Sequence, residues 1–231
     1  PKNGKTITSE LGAVCPTIVV PGPWSRADIA FQAEQVATQK LHNSGFNCVA
    51  CQVLVLPRQW AQKAQFVAAL EGVLAGAESR ALYYPGAEQR MSEFAAQNPG
   101  TRRLQRSGGE ALLIAATDER SARRSEVFAP ALSMTELDGA DAETYLKNAI
   151  AYANSQLYGS LGANIVIHPK TLAQIGRRRF EELLLALRYG TIAVNTWTGL
   201  GFMTPSATWG AFPGHTLADV QSGIGVVHNS M

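Results

Sequence analysis

Charged residues are scarce in this sequence. Only 16% of its 231 residues are Asp, Glu, Lys or Arg, whereas soluble domains average about 25%. The 20 basic and 18 acidic residues leave a formal net charge of +2, which gives no reason to expect nucleic acid as a partner. A hydrophobic content of 46% is ordinary, so the composition excludes a disordered chain. We expect a folded protein that covers part of its surface with another domain or subunit.

Cysteine is also scarce, and its number is odd. The three residues, Cys15, Cys48 and Cys51, argue against a disulfide scaffold and for a reducing compartment, so we expect a cytoplasmic protein. Cys48 and Cys51 form a C-x-x-C pair, but a zinc site needs a second pair that the sequence lacks, so we expect no metal. A redox pair remains an alternative, although that motif opens a helix and a strand is predicted to follow here.

Two further kinds of segment are missing. No run of about 18 apolar residues is present, and no signal-peptide pattern is visible, so we expect no membrane association. The sequence also lacks Gly-x-Gly-x-x-Gly after a strand and the phosphate loop that ends in Gly-Lys-Ser/Thr. If the chain acts on a dinucleotide, the binding site for the pyrophosphate lies elsewhere.

Apolar runs alternate with amphipathic segments along the chain, which predicts one α/β domain over residues 1–231 with a mostly parallel sheet and helices on both faces. The predicted strands are 17–20, 52–56, 111–116, 163–167 and 191–194, with strand-like residues at 5–8. Residues 127–137 are predicted to be extended, with part of the segment at a sheet edge or irregular because Pro130 lies inside it. The predicted helices are 25–41, 57–74, 88–97, one that begins after Asp141, and one around 180–187. A surface loop is predicted at 117–125, and the chain is irregular after Asn195.

Cys48 is the first candidate catalytic residue. It follows a polar turn around Gly45, where the chain leaves a helix and enters a strand. A thiol at such a junction is able to act as a nucleophile while its backbone amide faces a substrate oxygen. The alternative is a small buried hydrophobic residue, which is the usual role of a free cysteine.

Two carboxylates are further candidates. Glu10 is a lone acid among apolar neighbours, which suits a general base, and the alternative is a surface residue. Glu126 and Phe128 stand two apart on an extended segment and therefore point the same way. They would offer a carboxylate for a hydroxyl beside an aromatic wall, and the alternative is a strand edge with a solvated Glu. The four histidines are scattered and receive no role.

The sequences of these segments, and their order along the chain, resemble those of the aldehyde dehydrogenases. Three motifs carry most of the resemblance, and shorter matches follow them in order; in this sequence they are Ser9–Val19, Asn43–Cys48 and Glu126–Pro130, then Tyr158-Gly159, Gly190–Asn195, Phe212–Gly214 and Ser222–Gly225. The sequence departs from the family pattern at Ala13, Phe46 and Ala129, and in the spacing of the last motif around Trp209.

The resemblance implies a reaction. Cys48 would be the nucleophile that attacks an aldehyde to give a thiohemiacetal, and its backbone amide would hold the oxyanion. Hydride would pass to NAD or NADP and leave a thioester, which water activated by Glu10 would hydrolyse to a carboxylic acid. Glu126 would bind the nicotinamide ribose. Phe128 would border the nicotinamide ring, and the backbone of Leu11 would lie near the same ring. The aldehyde pocket would include Phe46, Trp197, Leu200 and Phe202.

The resemblance also implies what surrounds this domain. In the family a dinucleotide-binding domain precedes the Glu-Leu-Gly motif, so we expect a catalytic domain from a longer enzyme, with NAD or NADP bound mainly by the missing part. The full-length protein is expected to be a homo-oligomer, a dimer or tetramer, and the chain alone is expected to lack dehydrogenase activity. Three alternatives stay open: transfer of the acyl group to coenzyme A, acyl reduction, and a non-catalytic assembly module.

Overall fold

The computed structural model describes residues 3–116 and 120–229. Its strands are β1 (Ser9–Glu10), β2 (Pro16–Val19), β3 (Val53–Pro57), β4 (Arg102–Leu104), β5 (Leu112–Ala116), β6 (Ala131–Leu137), β7 (Gly162–Val166), β8 (Thr191–Val194) and β9 (Gly223–Ile224). Its helices are α1 (Arg26–Leu41), α2 (Lys63–Gly76), α3 (Ala87–Gln97), α4 (Arg120–Arg124), α5 (Ala142–Gln156), α6 (Pro169–Ile175), α7 (Arg177–Ala186) and α8 (Thr198–Phe202). A short 3₁₀ turn, His42–Gly45, follows α1.

The main sheet of the described residues has seven strands in the order β4-β5-β6-β3-β2-β7-β8. All neighbouring strands run parallel except β4, which pairs antiparallel with β5 at one edge. β1 and β9 form a separate antiparallel ribbon in which Glu10 lies opposite Gly223. The predicted α/β class with a mostly parallel sheet is confirmed.

Helices cover both faces of the sheet because successive strand residues point to opposite sides. On one face Val19, Leu54 and Leu56 pack with apolar residues of α1 and α2. On the other face Ile18, Val53 and Val55 pack with α5 and α7. Strands buried on both faces explain the continuous apolar runs that predicted them.

The connection from β2 to β3 positions the site. Ser25 starts α1 with a capping box, in which Asp28 N–H donates to Ser25 Oγ at 3.1 Å and Ser25 N–H donates to Asp28 Oδ2 at 2.9 Å. α1 then returns the chain to the amino-terminal end of β3, which lies beside that of β2. Residues that precede the two strands, Glu10 before β2 and Cys48 before β3, therefore meet at one edge of the sheet.

Several predicted boundaries were wrong. The helix predicted from Pro57 begins at Lys63, because Pro57 completes β3 and the Arg58 N–H then donates to the Leu137 carbonyl at the end of β6. The segment predicted at 127–137 was expected to be partly irregular because of Pro130, and it is a strand only from Ala131, with a left-handed backbone at Phe128 (φ 47°) before it. The strand-like residues are Ser9–Glu10 rather than 5–8.

Other elements were not predicted at all. The predicted loop at 117–125 contains α4, and its residues 117–119 lie outside the described part of the chain. Neither β4 nor α6 was predicted from the sequence. Within residues 3–116 and 120–229, no helix is both long enough and apolar enough to cross a membrane.

Candidate active site

Cys48 and Glu10 line the same pocket, which has a volume of about 380 Å³. Its walls are largely apolar, and the indoles of Trp197 and Trp209 both belong to them. Phe202 and Met203, two exposed residues at the end of α8, complete the lining on the solvent side. A small apolar cavity with a thiol and a carboxylate is a typical ligand site of an enzyme.

The turn before Cys48 has an unusual backbone. Asn43, Ser44 and Gly45 are consecutive left-handed residues with φ of 52°, 58° and 82°. Such a conformation costs of the order of 1–3 kcal/mol per non-glycine residue, so surrounding contacts must hold it. Asn43 Nδ2 donates to the Phe46 carbonyl at 3.0 Å, and Tyr83 Oη donates to Asn43 Oδ1 at 3.0 Å.

Gly45 is needed at this turn for a second reason. A Cβ at that position would lie 2.6 Å from the Ala129 carbonyl oxygen, closer than any real contact. The glycine of the nucleophile motif therefore lets the Cys48 turn pack against the Glu126–Pro130 segment. Beyond the turn, Asn47 Oδ1 accepts a hydrogen bond of 2.9 Å from Val49 N–H.

The Cys48 thiol is half-buried, and its surroundings disfavour the thiolate. Burial raises its pKa to about 12, and the charge and hydrogen bond of Glu10 act in the same direction, as does the charge of Glu126. At neutral pH the group is therefore a thiol that needs a base. Glu10, which lines the same pocket and whose charge acts on this thiol, is a carboxylate that is able to accept the proton.

Glu10 has a second partner across the pocket. Its Oε2 accepts a hydrogen bond of 2.8 Å from Nε1 of Trp209. Trp209 is 1% exposed, whereas Glu10 is intermediate in exposure on the two-residue strand β1. The long acidic side chain is thus held by a buried aromatic residue near the other end of the chain.

Glu126 turns inward and packs against the Glu10–Ala13 segment. A Cβ on Gly12 would lie 1.4 Å from Glu126 Oε2, so only glycine admits the carboxylate here. The Ala13 backbone amide favours the ionised form of this carboxylate, which partly offsets the effect of burial on its pKa. Gln52 ties the two segments together, since its Nε2 donates to the Ala13 carbonyl at 2.8 Å and its Oε1 accepts from Val127 N–H at 3.0 Å.

A buried lysine lies near Glu126. Lys40 is fully buried, and its Nζ has no hydrogen-bond partner among the described residues. Burial lowers the pKa of Lys40 to about 8 and raises the pKa of Glu126 to about 7, while their opposite charges partly offset both changes. Cys51 and Cys15 also face Lys40.

Phe46 belongs to an aromatic cluster and is not among the residues that line the pocket. Phe46 is 4% exposed, and its ring lies 5.0 Å from Tyr83, 5.6 Å from Tyr84 and 6.0 Å from Phe128, measured between centroids. Arg90 secures the left-handed Phe128, because its Nε donates to the Val127 carbonyl at 2.8 Å and its Nη2 to the Phe128 carbonyl at 3.3 Å. The cluster joins the Asn43–Cys48 turn to the Glu126–Pro130 segment.

Comparison with known proteins decides the fold. No family model and no curated protein matches the sequence. Solved structures do match, among them a gamma-glutamyl-gamma-aminobutyraldehyde dehydrogenase from Burkholderia cenocepacia, which is 21% identical with a TM-score of 0.71 over 96% of this chain and 44% of that chain. The chain has an aldehyde dehydrogenase fold.

Two further aldehyde dehydrogenases support that assignment. An indole-3-acetaldehyde dehydrogenase in complex with NAD+ is 22% identical with a TM-score of 0.71, over 99% of this chain and 45% of that chain. An aldehyde dehydrogenase from Mycobacterium tuberculosis in complex with NAD+ is 19% identical with a TM-score of 0.67, over 96% and 44%. The chain therefore spans less than half the length of each of these structures.

The structure brings together some, but not all, of the site residues that the aldehyde dehydrogenase resemblance implies. Cys48, Glu10, Trp197 and Phe202 line the pocket. Phe46 belongs to the aromatic cluster instead, and Leu200 is 48% exposed on α8 and is not among the residues that line the pocket. Leu11 is 49% exposed beside Glu10, while Glu126 and Phe128 lie on the adjoining segment. The roles given to these residues stay predictions.

Sequence reasoning missed other residues of this pocket. His42 lines it and packs against Trp197 with ring centroids 4.9 Å apart, although no histidine was given a role. Trp209 and Met203 were also missed. One signal pointed to them, since both lie in the irregular stretch after Asn195. That residue, with φ of 56°, turns the chain back so that Thr198 lies beside Gly162 at the start of β7.

Proposed function

We propose that this chain supplies the thiol-bearing part of an NAD- or NADP-dependent aldehyde dehydrogenase that oxidises an aldehyde to a carboxylic acid. One observation carries the proposal: the Cys48 thiol and the Glu10 carboxylate line the same apolar pocket, where the charge of Glu10 acts on the thiol. A nucleophile with a base beside it is the minimum for covalent catalysis. The fold supports the proposal but leaves the reaction to be tested.

The first half of the reaction uses both residues. Glu10 takes the thiol proton of Cys48, and the sulfur bonds to the aldehyde carbon to form a thiohemiacetal. The main-chain amide of Cys48 is the donor we assign to the resulting oxyanion. Because the Cys48 pKa is about 12, proton removal by Glu10 has to accompany the attack rather than precede it.

The residues that would hold the cofactor fit that role. Oε1 of Glu126 is buried and lacks a hydrogen-bond partner among the described residues, which suits an acceptor for a ribose hydroxyl. Leu11 is half-exposed next to Glu10, and Phe128 is held on the adjoining segment by Arg90. When bound, NAD or NADP accepts the hydride of the thiohemiacetal, which leaves a thioester on Cys48.

The second half of the reaction is hydrolysis. Glu10 first releases the thiol proton to solvent and then accepts a proton from water, while the water oxygen bonds to the thioester carbon and the carbon–sulfur bond breaks. The thiolate of Cys48 leaves and recovers the proton from Glu10, and the acid is released. Coenzyme A in place of water is the alternative, but the position of Glu10 favours hydrolysis because a base is needed to activate water.

The proposal extends beyond these 231 residues. The solved aldehyde dehydrogenases are more than twice as long as the part that this chain matches. We propose that the dinucleotide-binding part lies in polypeptide outside the chain, and that the full-length protein is a cytoplasmic homo-oligomer. An assembly module without catalysis is the alternative, and it predicts an inert Cys48.

Reduction of NAD and NADP by the full-length protein, with a panel of aldehydes, tests this function. We expect turnover with at least one aldehyde and its loss in Cys48→Ala, whereas Cys51→Ala, which changes a cysteine outside the pocket, should keep activity. Product analysis with and without coenzyme A separates acid from thioester release. Full turnover in Cys48→Ala would refute the proposal.

A further inference from the structure

Trp209 stands out because its indole N–H meets the proposed base. The hydrogen bond from Trp209 Nε1 to Glu10 Oε2 measures 2.8 Å and joins residues 199 positions apart. Trp209 lies in the stretch where the sequence departs from the last aldehyde dehydrogenase motif, so the resemblance assigns it no role. The contact is a feature of this chain.

Trp209 is firmly held on several sides. Its backbone N–H donates to the His228 carbonyl at 3.0 Å, and its carbonyl accepts from Val227 N–H at 2.9 Å. Phe202 meets the indole edge-to-face with centroids 5.5 Å apart. The ring also packs in a buried cluster with Ala13, Cys15, Val49 and Leu161. A donor fixed in this way keeps its direction, because moving it would leave the N–H buried without a partner.

Glu10, by contrast, lies on an element that does little to fix its side chain. β1 is only two residues long and pairs only with β9 among the strands of the described residues. A glutamate has three rotatable side-chain bonds, so an external contact is needed to hold its carboxylate beside the thiol. Trp209 takes Oε2, which leaves Oε1 for the Cys48 proton at rest or for water in the acyl intermediate.

We propose that Trp209 is a positioning residue: its indole N–H holds Glu10 in the orientation in which the carboxylate activates the water that hydrolyses the thioester. This inference rests on the proposed function of Cys48 and Glu10. It assigns Trp209 to hydrolysis specifically, since attack of the thiol on a carbonyl needs Glu10 only as a nearby proton acceptor.

Hydrolysis of p-nitrophenyl acetate tests the inference without a cofactor. The initial burst of p-nitrophenol reports acylation of Cys48, and the steady rate that follows reports hydrolysis of the acyl group. Two variants remove the N–H: Trp209→Phe, and replacement of Trp209 by benzothienylalanine, which keeps the shape of the ring. The matched control is Trp24→Phe, because Trp24 is a buried tryptophan outside the pocket whose indole N–H donates to the Val20 carbonyl at 3.2 Å.

We expect both Trp209 variants to keep the burst and to lose about tenfold or more of the steady rate, as for loss of a hydrogen bond to a charged group. Trp24→Phe should stay within about twofold of the wild-type rate, since Trp24 lies outside the pocket and has no contact with Glu10. A benzothienylalanine variant that hydrolyses the acyl group at the wild-type rate would overturn the inference.

Hydrogen exchange of the Trp209 indole N–H separates this inference from the proposed function. The exchange should be slow in the wild type and faster in Glu10→Ala, whatever Cys48 does. If the wild type gives no burst but its indole N–H exchanges more slowly than that of Glu10→Ala, the proposed function of Cys48 is wrong and the contact between Trp209 and Glu10 is confirmed. Equal exchange in the two proteins would refute that hold.

Discussion

Replacement of Lys40 by Met should change how stability depends on pH. Lys40 is fully buried near Glu126, and burial lowers its pKa from 10.5 to about 8. The folded state therefore binds fewer protons than the unfolded state between those two pH values, so this lysine costs stability below pH 8 and the cost disappears as the pH rises to 10.5. The change corresponds to about 3 kcal/mol.

Other buried groups titrate in the same range, so the difference between two proteins is the useful quantity. Burial raises the pKa of Cys48 to about 12 and of Cys51 to about 11, which lowers stability above pH 9 in wild type and variant alike. Loss of Lys40 raises the Glu126 pKa further. This also makes the stability of the variant fall relative to that of the wild type as the pH rises. We expect Lys40→Met to be more stable than the wild type near pH 7.5 and to lose about 2–3 kcal/mol of that advantage by pH 10.

Urea unfolding followed by tryptophan fluorescence at several pH values measures this difference. Lys147→Met is the matched control, since Lys147 is exposed on α5, and its difference from the wild type should stay constant. The dependence of unfolding free energy on urea should be unchanged in both variants. If the difference in unfolding free energy between Lys40→Met and the wild type does not change with pH, Lys40 is not a buried ammonium and the account of the Glu126 surroundings is wrong.

Two more predictions follow from the same site. Gly12→Ala places a methyl group 1.4 Å from Glu126 Oε2, so it should expel that carboxylate and lower the midpoint of urea unfolding, whereas Gly72→Ala, with open space around it in α2, should raise stability by about 0.5–1 kcal/mol. Alkylation of Cys48 by iodoacetamide should still accelerate with pH at pH 10, since its pKa is about 12. A rate that stops rising below pH 10 would contradict the raised pKa of Cys48.

The sequence predicted the parts of the fold that depend on local patterns. β3 and β7 are buried on both faces and read as apolar runs, and α1 begins where Ser25 caps it. β4 was missed because Arg102 and Arg103 are exposed, so this short edge strand carries no apolar signal. The left-handed Phe128 was missed because it is held by Arg90, which lies far away in the sequence.

The candidate site divides in a similar way. The sequence motifs predicted Cys48 and Glu10 as site residues, and the parallel β2–β3 connection explains why these two residues lie close together. Lys40 was not recognised, since a lysine in the last turn of an amphipathic helix is expected to face water. Trp209 was not recognised either, because its contact with Glu10 joins opposite ends of the chain and leaves no mark on local spacing.

The central claim is that Cys48 is the nucleophile, and mapping the acyl group tests it most directly. The protein is treated with p-nitrophenyl acetate, quenched in acid during the burst, and digested for mass spectrometry of its cysteine peptides. The account predicts one acetyl group on Cys48 and none on the buried Cys15 and Cys51. An acetyl group on another residue with Cys48 unmodified, or a full burst in Cys48→Ala, would contradict it.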